Sequence, residues 1–262
     1  MPQQFFILQQ QQTKDPVMNT ETYLILFSAI LTVAVLYSCV GHGGASGYIA
    51  VLALFSVVPE VFKPTALLLN IMVASVAAYS FRRAGHFSWG LFWPFAATSI
   101  PFSFLGGYLS LPQHLYRPLV GVVLLASACR LLVHKEPEAA SLRRPPLVAA
   151  LLLGAVLGLL SGLTGVGGGI FLSPLLMLLR WGRAREVSGV AALFILVNSC
   201  AGLLGHASSL QLVPGFAPLL AVAALLGGCV GSFLGSSFLP VRKVVKALSV
   251  VLTVAGVKML LV

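Results

Sequence analysis

The sequence contains very few charged residues, and acidic ones are the rarest. Only 8% of the 262 residues are charged, whereas 58% are hydrophobic, and the mean hydropathy is +1.00. A soluble domain has about a quarter of its residues charged, so this composition excludes a soluble globular protein. Apolar segments of about 18 to 25 residues fill most of the chain, which predicts an all-α protein that crosses the membrane several times.

The residue types that enzymes and metal sites require are also scarce. All six acids fall in tails or between apolar segments, which disfavours a carboxylate proton relay or a sodium site built on Asp. No Ser-His-Asp arrangement is present, and the four cysteines have no metal-type spacing. We therefore predict no catalytic residues, no metal, no cofactor and no enzymatic activity.

The formal net charge of +10 has an explanation other than nucleic acid. Basic patches interleaved with aromatic residues are absent, so we predict no nucleic-acid partner. Lys and Arg instead concentrate in short loops, as they do on the cytoplasmic side of membrane proteins. The N-terminal segment lacks the basic start and cleavage site of a signal peptide, and we predict a disordered leader over residues 1–21.

Two glycine-rich bends interrupt the apolar runs, at 41–47 (GHGGASG) and 165–169 (GVGGG). The run containing the first, Tyr23 to Val58, has 36 residues and would be about 54 Å long as one helix. That is too long for one crossing of about 30 Å and too short for two with a turn. We therefore predict a broken or re-entrant helix pair at each bend, with a short second arm.

The chain resembles itself. Segment 38–44 is similar to 161–168 with a shift of one or two residues, and 105–112 is similar to 233–240. This predicts two repeat halves of about five helical segments each, 22–133 and 147–262, joined by a hydrophilic cytoplasmic linker over 134–146. Each half has an odd number of crossings, so we expect the repeats to have inverted topology, an architecture typical of secondary transporters.

The loop charges predict the orientation. Twelve Lys and Arg fall on one face, against four on the other, Lys14, Lys63, Arg117 and Lys258. The richer face is expected to be cytoplasmic, which places both termini in the periplasm of a bacterial inner membrane.

The glycine bends are the candidate binding site. Consecutive glycines at a helix start free several N–H groups, and these donors together with the positive helix end suit an anion. Two such starts facing each other would form one anion site at the membrane midplane. The alternative is close helix packing, which is the expected role of the i,i+4 glycines at 154, 158 and 162 and at 227, 231 and 235.

Three polar residues within the apolar segments each have two possible roles. His42 either donates to an anion or exchanges a proton, or it is a neutral residue that fills a gap. Asn70 and Asn198 either touch substrate or bond a neighbouring helix. The candidate substrate-binding residues are Gly41, His42, Gly43, Gly44, Ser46, Asn70, Thr164, Gly165, Gly167, Gly168, Gly169 and Asn198.

The segment Ser161–Pro174 (SGLTGVGGGIFLSP) resembles the signature of the TauE/SafE family. The resemblance covers about residues 22–262 and implies an exporter of sulfite, sulfonates or other organosulfur anions. The first half departs from the family's pattern at His42, at Ala45 in place of a third glycine, and at Ala50 where the second half has Pro174.

Together these features favour a secondary transporter, an exporter of a small anion that works by alternating access. The resemblance implies that the anion contains sulfur, whereas the residues themselves indicate only a small anion. The candidate partners besides the lipid bilayer are protons and a second copy of the chain. A membrane-embedded enzyme and a membrane assembly or scaffold protein are the alternatives from other functional classes.

Overall fold

The chain folds into helices because backbone groups in lipid must satisfy their hydrogen bonds within their own segment. The structure is a computed structural model that describes residues 19–55, 57, 59–109, 112–133, 142–207 and 213–237, and residues 249, 253, 256, 257, 260 and 261. These residues form helices and turns and contain no β-strand. The helices are α1 (Thr20–Cys39), α2 (Ala45–Leu54), α3 (Pro59–Arg83), α4 (Trp89–Tyr108), α5 (Gln113–Val133), α6 (Leu147–Thr164), α7 (Gly169–Leu178), α8 (Ala184–Gly205) and α9 (Ala217–Ser237).

The prediction of an all-α protein with several membrane crossings is confirmed. Among the described residues, α1, α3, α6, α8 and α9 are long and apolar enough to span a bilayer. The short helices α2 and α7 have ten residues each and are about 15 Å long, half of the hydrocarbon thickness. The predicted last segment (241–262), the leader up to residue 18 and linker residues 134–141 lie wholly or mostly outside the described residues.

Two predicted boundaries are wrong. The sequence predicts a loop over 59–63 and a helix that starts at Pro64, but Pro59 to Lys63 form the first turn and a half of α3, so Pro64 lies inside that helix. Pro59 suits the first helical position because it needs no hydrogen-bond partner there, and the buried Phe62 fixes the turn against the core. The predicted leader also ends too late, because α1 begins at Thr20.

The closest helix pairs join the two halves of the sequence. Helix α4 packs along α6, and α9 packs along α1. One hydrophobic cluster therefore contains residues of α1, α2, α3, α5 and α9 together with Val166 and Ile170 of the second bend and α7, and a second contains residues of α4, α6, α7 and α8. The hydrophobic cores thus do not coincide with the two halves of the chain.

Glycines make both of these pairings close. A methyl group on Gly154, Gly158 or Gly162 of α6 would overlap a backbone carbonyl oxygen of α4, at Phe95, Ser99 and Ser103 in turn. A methyl group on Gly227, Gly231 or Gly235 of α9 would meet the carbonyl oxygens of Leu31, Val35 and Cys39 in α1. Small residues at i,i+4 spacing let membrane helices approach this closely, as the sequence predicted.

Helices α3 and α8 pack against each other and run antiparallel. Near the start of α8, Gly189 lies against the carbonyl group of His86, just beyond the end of α3. Near the end of α8, a methyl group added to Gly202 would lie 3.8 Å from Cδ1 of Leu67, near the start of α3. The start of α8 therefore lies beside the end of α3, and the end of α8 lies beside the start of α3.

We predict that Gly158→Ala destabilises the protein and that Gly90→Ala does not. The added methyl group at 158 overlaps the Ser99 carbonyl group, and forcing the backbones apart costs about 1–3 kcal/mol. Gly90 is also helical but has open space around it, so alanine there gains helix propensity only. The thermal midpoint of the purified protein in detergent measures both effects. Equal midpoints for the two variants would show that the α4–α6 contact is not close.

Candidate functional site

Both glycine bends contain backbone that only glycine adopts readily. Gly41 and Gly165 follow the long helices with φ of 74° each, and Gly44 and Gly168 precede the short helices with φ of 100° and 78°. Positive φ costs other L-residues about 1–2 kcal/mol. The glycines are therefore explained first by the turn that they form, and both turns are buried.

The two bends meet at one side chain, that of Asn70 in α3. Its Oδ1 accepts a hydrogen bond from the backbone N–H of Ala45 at 3.2 Å, at the start of α2. Its Nδ2 donates to Ser199 Oγ at 2.8 Å and toward the Val166 carbonyl oxygen of the second bend at 3.4 Å. Asn70 is fully buried, and through these hydrogen bonds its side chain bridges both bends.

Gly43 and Gly167 approach each other across this bridge. A methyl group on either glycine would overlap the Asn70 amide, and each would lie 3.1 Å from Cγ2 of Ile195 in α8. The space directly between the two glycines therefore holds the Asn70 amide and an Ile195 methyl group. Both residues are near the middle of their candidate spans, Val61–Arg83 and Arg185–Gly205, so the bends meet near the middle of these two helices.

His42 joins the first bend to the second. Its Nδ1 lies 3.0 Å from the carbonyl oxygen of Val40, and the imidazole lies near the backbone of Gly169 at the start of α7. The ring therefore packs between the bends. This contact agrees with a hydrogen-bonded structural histidine and also places the imidazole beside the N-terminus of α7.

The two bends differ in their side chains. At the first, Tyr48 Oη donates to the Gly43 carbonyl oxygen at 2.9 Å, and Ser46 Oγ donates to Tyr37 Oη at 2.9 Å. At the second, the Ser161 side chain lies against Gly168, and its Oγ has no hydrogen-bond partner among the described residues. Tyrosine hydroxyl groups thus form hydrogen bonds around the first bend, whereas each bend has one buried serine hydroxyl without a partner among the described residues, that of Ser38 at the first and that of Ser161 at the second.

The structure brings most of the predicted site residues together. All the predicted bend glycines, His42 and Ser46 lie in or beside the bends, and Asn70 touches both. Thr164 ends α6 and bonds the Leu160 carbonyl oxygen of its own helix at 2.6 Å. Asn198 instead faces α4, with Nδ2 donating to Ser99 Oγ at 3.0 Å.

Sequence reasoning missed Ser199, Tyr37 and Tyr48. Ser199 is the neighbour of Asn198, and it makes the side-chain contact with Asn70 that joins α3 to α8. The helical positions could have identified Ser199, because adjacent residues on a helix point in directions about 100° apart and so face different neighbours. Among the described residues, no three His, Cys, Asp or Glu side chains lie close enough together to hold a metal ion.

We predict that Asn70→Ala lowers the free energy of unfolding by about 1–3 kcal/mol, because it leaves the Ala45 N–H and the Ser199 hydroxyl unsatisfied in a buried site. Ser75→Ala is the matched control in the same helix. Its exposed hydroxyl bonds only the Ile71 carbonyl oxygen one turn away, so we expect little change. Denaturation in detergent measures both variants, and similar values would contradict a bridging role.

Comparison with known proteins identifies the family. A probable membrane transporter protein of Sinorhizobium fredii is 40% identical over 247 residues, which cover 93% of this chain and all of the relative. A probable membrane transporter protein of Methanocaldococcus jannaschii is 30% identical over 111 residues, 41% of each chain. No solved structure matches the chain significantly. Residues 26–259 match the family described as Sulfite exporter TauE/SafE, and the chain therefore belongs to this family of membrane transporters.

Proposed function

We propose that the protein exports a small anion, sulfite or another sulfur-containing oxyanion or sulfonate, by alternating access. The anion would be held between the N-termini of α2 and α7. The observation that carries this proposal is the meeting of two helix starts at Asn70, near the middle of the spans. The family supports transport, and its description supports sulfite as the first substrate to test.

The chemistry of the bends favours an anion over a cation. Helix N-termini present unpaired N–H groups and a partial positive charge. The hydroxyl groups of Ser46 and Ser161 and the amide of Asn70 are further donors in the same region. Of the acids whose side chains are described, Glu21 and Glu186 lie in the first turns of α1 and α8, and neither belongs to a bend.

The proposed binding set follows from these contacts. The backbone of the bend glycines, Gly41, Gly43, Gly44, Gly165, Gly167, Gly168 and Gly169, would supply the helix starts. Asn70 and Ser46 would add side-chain donors, and His42 would add either a donor or a proton. Thr164 would shape the end of α6, whereas Asn198 is left out because it faces α4.

The helix contacts support two inverted repeats. Gly41 lies against Ser188, and Gly165 lies against Lys63. Gly106 lies against Leu159, and Gly231 lies against Val35. A shift of 124 or 125 positions converts each contact into its counterpart, and the same shift relates α3 to the antiparallel α8. This supports an axis between α3 and α8 that lies in the membrane plane.

The same symmetry suggests how access alternates. The Asn70 amide and the Ile195 methyl group close the space between Gly43 and Gly167, so an anion can enter only after the bends separate. We propose that the two hydrophobic clusters rock against each other around α3 and α8. The loops near Arg82, Arg143, Arg180 and Arg185 would face the cytoplasm of the bacterial inner membrane, and both termini would face the periplasm.

The first test is flux through the purified protein in liposomes. We expect wild-type protein to move sulfite or a small sulfonate, and Asn70→Asp to lower the rate about tenfold or more because a carboxylate repels the anion. Ser75→Ala in the same helix should transport normally. Both variants must first prove folded and monodisperse. No flux of any sulfur oxyanion, sulfonate or small carboxylate would reject transport and favour a scaffold role.

The second test is the driving force. If one negative charge moves alone, an inside-negative potential of 100 mV supplies about 2.3 kcal/mol, or roughly a fiftyfold concentration ratio. Liposomes with an imposed potassium diffusion potential and no pH gradient measure this ratio. An anion distribution that follows an imposed pH gradient and ignores the potential would instead indicate proton coupling, for which His42→Gln is the variant to examine.

A further inference from the structure

Lys63 is a buried cation at membrane depth. It lies in the first turn and a half of α3, inside the span Val61–Arg83, and only 8% of its surface is exposed. The sequence had placed it in a loop facing water. Ionisable side chains inside a membrane span are costly, and they commonly mark substrate pathways.

The surroundings of Lys63 belong to the second bend. Its stem packs against Gly165, with Cα and Cβ 3.5 Å from the position of an added methyl group. Its Nζ lies 3.6 Å from the centre of the Tyr116 ring, and the Tyr116 hydroxyl donates to the Thr164 carbonyl oxygen at 2.9 Å. The ammonium group is therefore held next to the turn that leads into α7.

A second titratable group lies close by. His206, at the end of α8, is buried, and its Nε2 lies 3.2 Å from the carbonyl oxygen of Gly162. Burial lowers the pKa of His206, and the charge of Lys63 lowers it further. Lys63 and His206 are thus two basic side chains in the same buried region.

Lys63 is aligned with the place where the bends meet. It precedes Asn70 by seven residues, which is two helical turns and about 10 Å on the same face of α3. The arginines at the other end of α3 lie about 28 Å away from it along the helix. The charge thus marks one side of the bends, the side opposite the arginine-rich loops.

The equivalent position in the other half carries no charge. The contacts of Gly41 and Gly165 pair Ser188 with Lys63. A binding site formed by the backbone alone would have the same chemistry at both positions. Of these two equivalent positions, therefore, only the one beside the second bend carries a basic side chain.

We propose that Lys63 is a binding residue for the transported anion, which it holds beside the second bend on the side away from the arginine-rich loops. This inference rests on the proposed function and adds a second position to it. The ammonium group suits an oxyanion or sulfonate. An anion leaving the midplane toward this side would meet Lys63 next.

The alternative is a structural lysine. Stacking on Tyr116 stabilises the side chain, and Glu60 precedes Lys63 by three residues in the sequence, a spacing at which oppositely charged residues of a helix interact. If Lys63 serves only to neutralise that acid, Glu60→Gln should have the same effect as removing Lys63. If Lys63 binds the anion, Glu60→Gln should leave affinity equal or improve it.

The experiment compares Lys63→Met, Lys63→Arg and Glu60→Gln in the full-length protein, with Arg144→Gln as the control for an exposed charge. We expect Lys63→Met to raise the KM for sulfite about tenfold or more, the usual effect of losing a hydrogen bond to a charged group. Lys63→Arg should recover most of the affinity, and Arg144→Gln should behave as wild type. A wild-type KM in Lys63→Met, or the same loss in Glu60→Gln, would overturn the proposal.

A binding measurement separates this inference from transport itself. Methanesulfonate should raise the thermal midpoint of the wild-type protein in detergent, and Lys63→Met should abolish the increase. If wild-type protein binds but does not transport, the proposed function fails while Lys63 is still supported. Absence of any increase in wild type, or an equal increase in Lys63→Met, would overturn the binding role.

A measurement on wild-type protein covers the case in which Lys63→Met does not fold. Acetic anhydride labels lysine amines, and mass spectrometry of the peptide that contains Lys63 reports its reactivity. We expect methanesulfonate to protect Lys63 from acetylation and sodium chloride at equal ionic strength to protect it less. Equal labelling in the two salts would contradict anion binding at this side chain.

Discussion

The structure depends on the hydrogen bonding of backbone that is not helical at membrane depth. Water cannot reach such groups in the hydrocarbon, so the protein must supply their partners. Asn70 does so for Ala45 and Val166 at once, and Tyr48 does so for Gly43. Because the Asn70 amide bonds both bends, the two bends cannot move apart without breaking at least one of these hydrogen bonds. The geometry that closes the site is therefore the geometry that stabilises the fold.

The exchange of helices between halves gives this arrangement its rigidity. Each half contributes α4 or α9 to the opposite half, and glycines let the backbones of these pairs touch. In the α4–α6 pair the glycines lie on both helices, at Gly106 of α4 and at 154, 158 and 162 of α6, whereas in the α1–α9 pair they lie on α9. The close approach of the backbones is thus common to both pairs, although the distribution of the small residues differs.

The helices were largely predictable from the sequence because a membrane helix is recognisable as a long run of apolar residues. The glycine clusters also located both turns to within a residue or two. Lys63 was misplaced because Pro64 suggested a helix start, whereas Pro59 already provides one. Ser199 was missed in favour of Asn198 because a one-residue difference changes which neighbour a helical side chain faces. Contacts that join residues 129 positions apart, such as Asn70 and Ser199, leave no local pattern in the sequence.

The difference between the side chains around the two bends has a consequence for the carrier without bound substrate. The 124-residue shift that pairs Gly41 with Gly165 pairs Tyr37 with Ser161 and Tyr48 with Leu172. In the proposed alternating-access cycle, a carrier with identical halves would divide its time equally between its two orientations. Here one half has hydroxyl bonds that the other cannot form, and each is worth about 0.5–1.5 kcal/mol. One such bond made in only one orientation would bias their occupancies by roughly two- to tenfold, so the empty carrier would wait predominantly on one side of the membrane.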